Sequence, residues 1–150
     1  MNALTTPAYL IFTSLIAHTS PVLHSGDDKL ALLGFDPVAY FTENAALEGS
    51  SEYTSVHLGI TYQFVNEKHL RLFEKNPTAY LPQYGGYCAY GVSKGGLYKI
   101  DPKSWSILDG KLYLNYDSGV QRKWAKQAEV YIERADEKWP ELAAKKARRL

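Results

Sequence analysis

The chain has almost no sulfur and almost no net charge. One cysteine, Cys88, stands among 150 residues, so the chain cannot close a disulfide on itself or build a zinc site from several thiolates. Its 17 Lys and Arg against 16 Asp and Glu leave a formal charge of +1. That balance gives no long-range field for a phosphate backbone and argues against nucleic acid as a partner. No apolar run reaches the ~20 residues a membrane-spanning helix needs, so no stable membrane insertion is expected. HExxH, P-loop and GxGxxG signatures are absent, and the expectation is a protein that is not an enzyme. No internal repeat, low-complexity tract or linker is visible. The length fits one domain, burying ~68–70% of its unfolded surface.

Tyrosine is what the chain has in surplus: 12 Tyr against 5 Phe and 3 Trp. An apolar body with a polar tip suits β-structure, half-buried faces and wet interfaces.

At the N-terminus, the apolar run Tyr9–Ala17 has the length of a signal-peptide core. No Lys or Arg precedes it, and the candidate cleavage sites near Ala17–Ser20 and Ser25–Gly26 fit a small-x-small pattern poorly. Those two features count against a signal peptide; on the length of its apolar run, the segment 1–26 still reads as one, giving an exported, periplasmic or secreted protein. The other reading is an N-terminal strand or helix packed on a cytoplasmic domain. Residues 27–142 form the expected domain and 143–150 a basic, solvated tail.

Within the domain, Tyr53–His57 and Ile60–Val65 flank Leu58-Gly59, and Trp105–Leu108 and Lys111–Tyr116 flank Asp109-Gly110. Both connections carry a glycine that supplies the positive φ of a tight hairpin. Asn66 reads as the N-cap of a short helix that Pro77 ends at Asn76. Residues 80–90 read as a Pro/Gly-punctuated aromatic loop. Asp117 or Ser118 caps a long C-terminal helix whose apolar positions run from Val120 to Ala135, with Pro140 interrupting it near Trp139. The expected fold is α+β: one small domain with two β-hairpins, a short helix and a long C-terminal helix.

Three residues could hold a metal ion. Cys88 sits in a Gly/Tyr-rich loop, His57 ends the first hairpin strand, and His69 lies on the short helix after it. One thiolate with two imidazoles suits copper or zinc. The spacings match no self-sufficient metal motif, and Cys88 reads first as a small buried hydrophobe and last as a nucleophile, since no adjacent base marks one. Tyr84, Tyr87 and Tyr90 surround Cys88 in sequence and, with Trp105, would line a cleft for a small organic ligand or partner protein. Gly85 and Gly86 read first as a tight turn that seats those tyrosines in the core.

Read in order, Gly34-Phe35-Asp36-Pro37-Val38-Ala39-Tyr40-Phe41, Tyr62-Gln63-Phe64, Asn76-Pro77, Tyr80-Leu81-Pro82-Gln83-Tyr84-Gly85-Gly86-Tyr87-Cys88-Ala89 and Asp109-Gly110-Lys111-Leu112-Tyr113-Leu114-Asn115 resemble the bacterial stand-alone YHS domain-containing proteins. The resemblance covers roughly Leu30 to Leu142. It implies a YHS/TRASH-like fold and a role in metal handling, with copper the favoured ion. Three departures go with it. Ala39 stands where the metal-binding modules carry a Cys after Asp-Pro-Val. Their Phe-Cys-Ser-x-x-Cys motif reads Phe64-Val65-Asn66 here, and His69 takes the place of its second Cys.

Overall fold

A computed structural model describes residues 29–149. The Tyr9–Ala17 run, its candidate cleavage sites, His18 and His24 lie outside the described residues.

The chain first makes a tight 3-10 turn at Leu32–Gly34, in which Leu32, Leu33 and Gly34 all have positive φ. Helix α1, Ala39–Thr42, follows. Strands β1 (Ser50–His57) and β2 (Ile60–Phe64) pair antiparallel across Leu58-Gly59. Those two residues take φ of 51° and 82°, the left-handed pair that matches strand twist in a two-residue hairpin. Asn66 then caps α2, Glu67–Lys75, its Oδ1 accepting from the His69 N–H at 2.9 Å.

Next comes a second turn, Gln83–Gly86, with Tyr84, Gly85 and Gly86 at positive φ. Helix α3, Ala89–Ser93, follows it. The 80–90 segment is thus more regular than its Pro/Gly content implies, because Gly85 and Gly86 complete the turn and Cys88 caps the helix that follows. Strands β3 (Asp101–Leu108) and β4 (Lys111–Asn115) pair across Asp109-Gly110, at φ 51° and 70°. Asp117 caps α4, Ser118–Ala125, its Oδ1 accepting from Val120 N–H at 2.8 Å. The expected single C-terminal helix is in fact two, because Gln127 leaves the helix at φ −144° before α5, Ala128–Ala147. Helix α5 runs through Pro140 rather than stopping there, although the proline forfeits one backbone donor. Trp139, Leu142 and Ala143 still pack on the core around that point. The basic stretch is helical as far as Ala147.

Set side by side, the two stretches are one unit built twice, a repeat that the sequence conceals. A residue in 30–41 has its counterpart 52 positions on, and one in 43–75 has it 51 positions on. Strand registers match: Ser50↔Phe64 and His57↔Ile60 in the first half, Asp101↔Asn115 and Leu108↔Lys111 in the second. Both hairpins shift register after their first pair. Single parallel bridges recur too, Leu30↔Thr61 and Pro82↔Leu112. So do the backbone bonds Asp36 N to Leu47 O, 2.9 Å, and Cys88 N to Tyr98 O, 3.1 Å. Even a ring pair is repeated. Tyr62 and Phe73 lie 4.7 Å apart at 34°, Tyr113 and Trp124 5.1 Å apart at 35°.

The halves share a core. Phe64, Phe73 and Tyr40 of the first pack in one cluster with Leu112, Leu114 and Cys88 of the second. A second cluster joins Tyr84, Tyr113 and Trp124 to Tyr131 and Ala135 of α5. Helix α5 has no counterpart after α2. The tryptophans are spread over these layers: Trp105 lies 5.3 Å from Tyr40, and Trp139 lies 6.0 Å from Tyr84.

Candidate functional site

Each half turns the chain sharply after its 3-10 turn and places one buried side chain at the bend. In the first half it is Asp36, fully buried. Its Oδ1 accepts from the N–H groups of Val38 at 2.7 Å and Ala39 at 3.2 Å, and its Oδ2 from Val65 N–H at 2.9 Å. Oδ2 also meets Nδ1 of buried His69 at 2.7 Å. The other ring nitrogen, Nε2, faces Thr42 Oγ1 at 3.3 Å and Glu43 Oε1 at 3.4 Å. A buried carboxylate is costly unless hydrogen-bonded and paired; here it has three backbone donors and an imidazole. The result is a clasp tying the Asp36-Pro37 turn to α2.

The second half places Cys88 at the same bend, also buried. Its Sγ accepts from Gly91 N–H at 3.4 Å and lies 3.7 Å from Asn115 Oδ1. Burial pushes the thiol up from its ordinary pKa, while backbone N–H groups of Gly91, Tyr116 and Tyr90 pull the other way. Those three are the counterparts of Ala39, Val65 and Val38, the donors to Asp36. A nucleophilic thiolate at neutral pH needs a shift in the opposite direction. Where the first half has His69, the second has Val120, a much shorter side chain.

A cleft of about 230 Å³ opens at this place. Cys88, Gly91 and Val120 line it together with Tyr90, Tyr98, Tyr116 and Lys94. Its counterpart in the first half is where the His69 ring is held between Asp36 and Thr42. Glycine is required beside Tyr98, for a Cβ on Gly91 would lie 2.5 Å from Tyr98 Cδ2 and one on Gly96 2.3 Å from Cε2. Tyr98 and Tyr116 are 53% and 42% exposed, so the cleft presents open aromatic faces. Lys94 Nζ lies 5.3 Å from the Tyr90 ring centre and 5.5 Å from that of Tyr131. Lys123 lies 5.0 Å from Tyr90, and Lys99 5.5 Å from Tyr116. Hydrogen bonding to Lys123 lowers the Tyr90 phenol and raises the Lys123 ammonium.

The residues singled out from sequence are scattered by this arrangement. Among the described residues no three of His, Cys, Asp and Glu converge as a metal-binding group. Cys88 is at the cleft, His69 is in the clasp, and His57 sits edge-on to Phe73 at 6.0 Å. Of the four aromatics expected to line a ligand site, Tyr90 does so. Tyr84 and Tyr87 are buried in the second cluster, as the tight-turn reading of Gly85-Gly86 has it, and the Tyr84 hydroxyl donates to Asp136 Oδ1 at 2.8 Å. Trp105 packs on the first cluster. Sequence reasoning missed Lys94, Tyr98, Tyr116 and Val120. The spacing that relates Gly34 to Gly86 and Gly59 to Gly110 was the signal that could have found them. No described helix is long and apolar enough to cross a membrane. Comparison with protein-family models, curated proteins and solved structures found no match to this chain.

Proposed function

We propose that the protein is a non-enzymatic binding module that takes a small organic ligand in the cleft beside Cys88. One observation carries the reading: the cleft stands where the repeated half encloses the imidazole of His69. A scaffold that fills this position with its own ring in one copy, and leaves it open among tyrosines in the other, is built to receive a ring. At about 230 Å³, the cleft is smaller than the ~300–1,000 Å³ of sites for drug-sized ligands.

The test is amide chemical-shift mapping of the ¹⁵N-labelled protein against a panel of single-ring compounds. Shifts at Tyr90, Gly91, Tyr116 and Val120 are expected, and Val120→His should abolish them by placing an imidazole in the cleft. Shifts that persist in Val120→His, or that never touch those amides, would overturn the reading. Under the YHS resemblance, the same place would instead hold a copper or zinc ion on Cys88. Stoichiometric Cu(I) or Zn(II) binding that is lost in Cys88→Ala would replace the ligand reading with the metal one.

A further inference from the structure

We infer that the ligand of the cleft is a small aromatic anion, whose ring lies among Tyr90, Tyr98 and Tyr116 and whose acidic group meets the ammoniums of Lys94 and Lys123. This rests on the cleft being a ligand site and adds the charge of what enters it.

The two halves differ in charge around this place. Around the clasp the first half carries Asp36, Glu43 and Glu48. Their counterparts around the cleft are Cys88, Lys94 and Lys99. Leu72 of the first half corresponds to Lys123. One scaffold has thus been changed from acidic to basic around the same place. Burial keeps the thiol protonated at neutral pH, so Cys88 does not restore the charge of Asp36. Asp117 acts on Cys88 through its charge, and its Oδ1 is already engaged by the Val120 N–H at 2.8 Å.

Among the described residues no ion pair joins these three ammoniums to a carboxylate: the pairs there are His69 with Asp36 and Glu43, Arg71 with Glu67, and Lys145 with Glu141. Lys94, Lys99 and Lys123 lie instead on tyrosine faces, and Lys123 is also hydrogen-bonded to the Tyr90 phenol. Such contacts are weak at exposed sites, so a carboxylate can draw the ammoniums away from them through charge-assisted hydrogen bonds. Behind the thiol, Asn115 is fully buried and its Nδ2 has no partner among the described residues. The walls are aromatic, the rim is cationic, and the interior lacks a buried negative charge. Neutral rings satisfy only the walls, and cationic rings meet repulsion at the rim.

Benzoate, benzamide and benzylamine share one ring and differ in charge. Each is titrated into the labelled protein, following the amides of Tyr90, Gly91 and Val120. Benzoate should bind about tenfold or more tighter than benzamide, the scale of one charge-assisted hydrogen bond. Lys94→Gln and Lys123→Gln should each move benzoate towards benzamide and leave benzamide unchanged. In the unaltered protein, raising salt from about 0.02 M to about 0.5 M should weaken benzoate selectively, because exposed charges are screened. Benzamide or benzylamine binding as tightly as benzoate would overturn the anion inference and leave the cleft as a ligand site. Failure of all three to move those amides would overturn both.

Discussion

Asp36 and Cys88 stand at the same bend of the two halves and face the same three backbone N–H positions, yet one is sealed and the other open. The Asp36 carboxyl is fully buried, and it brings an imidazole with it. The thiol is neutral when buried and asks for no counter-ion. Once the carboxyl is gone, His69 has no reason to recur, and Val120 in its place leaves room for a guest. The difference teaches that here the open site goes with a thiol in place of a carboxyl at the bend, and with a valine in place of the imidazole that the carboxyl holds.

The largest expected effect concerns whether the halves are separable. Because one cluster mixes Phe64 and Phe73 with Leu112 and Leu114, a peptide of residues 29–76 should be unfolded by circular dichroism. The whole chain should unfold in one transition. Two resolved transitions would break the picture of a shared core. Next is the clasp. Asp36→Ala orphans the groups bonded to the carboxylate and should cost about 3–5 kcal/mol in urea unfolding. Cys88→Ala should cost about 1–2 kcal/mol. Equal costs would mean that the two bends carry the same burden.

A finer test exchanges parts. Gly91→Ala drives a methyl into the Tyr98 ring and should cost about 1–3 kcal/mol. Adding Tyr98→Leu recreates the Ala39 and Leu47 pair of the first half and should recover most of that loss. If it does not, the halves are not interchangeable even there. At high pH the sign follows from burial. Desolvation raises Cys88, Tyr62, Tyr84 and Tyr40 above their ordinary values. The folded chain therefore keeps protons that the unfolded chain releases. Stability should be full at neutral pH and fall progressively above about pH 9, with Tyr84→Phe and Cys88→Ala flattening the decline in melting temperature. A melting temperature that holds level to pH 11 would argue against buried phenols. Smallest of all, Arg71→Ala breaks an exposed pair with Glu67 and should change stability by less than about 0.5 kcal/mol.

The hairpins and α2 are legible in the sequence because local chemistry decides them. Gly59 and Gly110 supply the turns, and Asn66 and Asp117 the caps. The repeat is hidden because few identities survive, among them Gly34 and Gly86, Gly59 and Gly110, and Tyr62 and Tyr113. Packing needed similar shapes at corresponding positions and not identical residues, so Phe73 could become Trp124. The break before α5 falls one turn after Trp124, where the first half also leaves its helix at Asn76, φ −153°. In the first half Pro77 announces the stop; in the second no residue does. Cys88 and Tyr90 were found because they sit in a conspicuous Gly/Tyr loop. His69 was noticed, but its partner Asp36 is 33 positions away, and no local pattern joins them.

The tryptophans give the molecule an optical map of itself. Trp105 stands against Tyr40 in the shared cluster, Trp124 against Tyr113 in the second, and Trp139 against Tyr84 where α5 docks. Each indole reports on a different seam. Replacing two of the three by phenylalanine leaves an emission signal for one seam alone. Departure of α5 would then be seen through Trp139 as a change of colour, separately from any loosening between the halves.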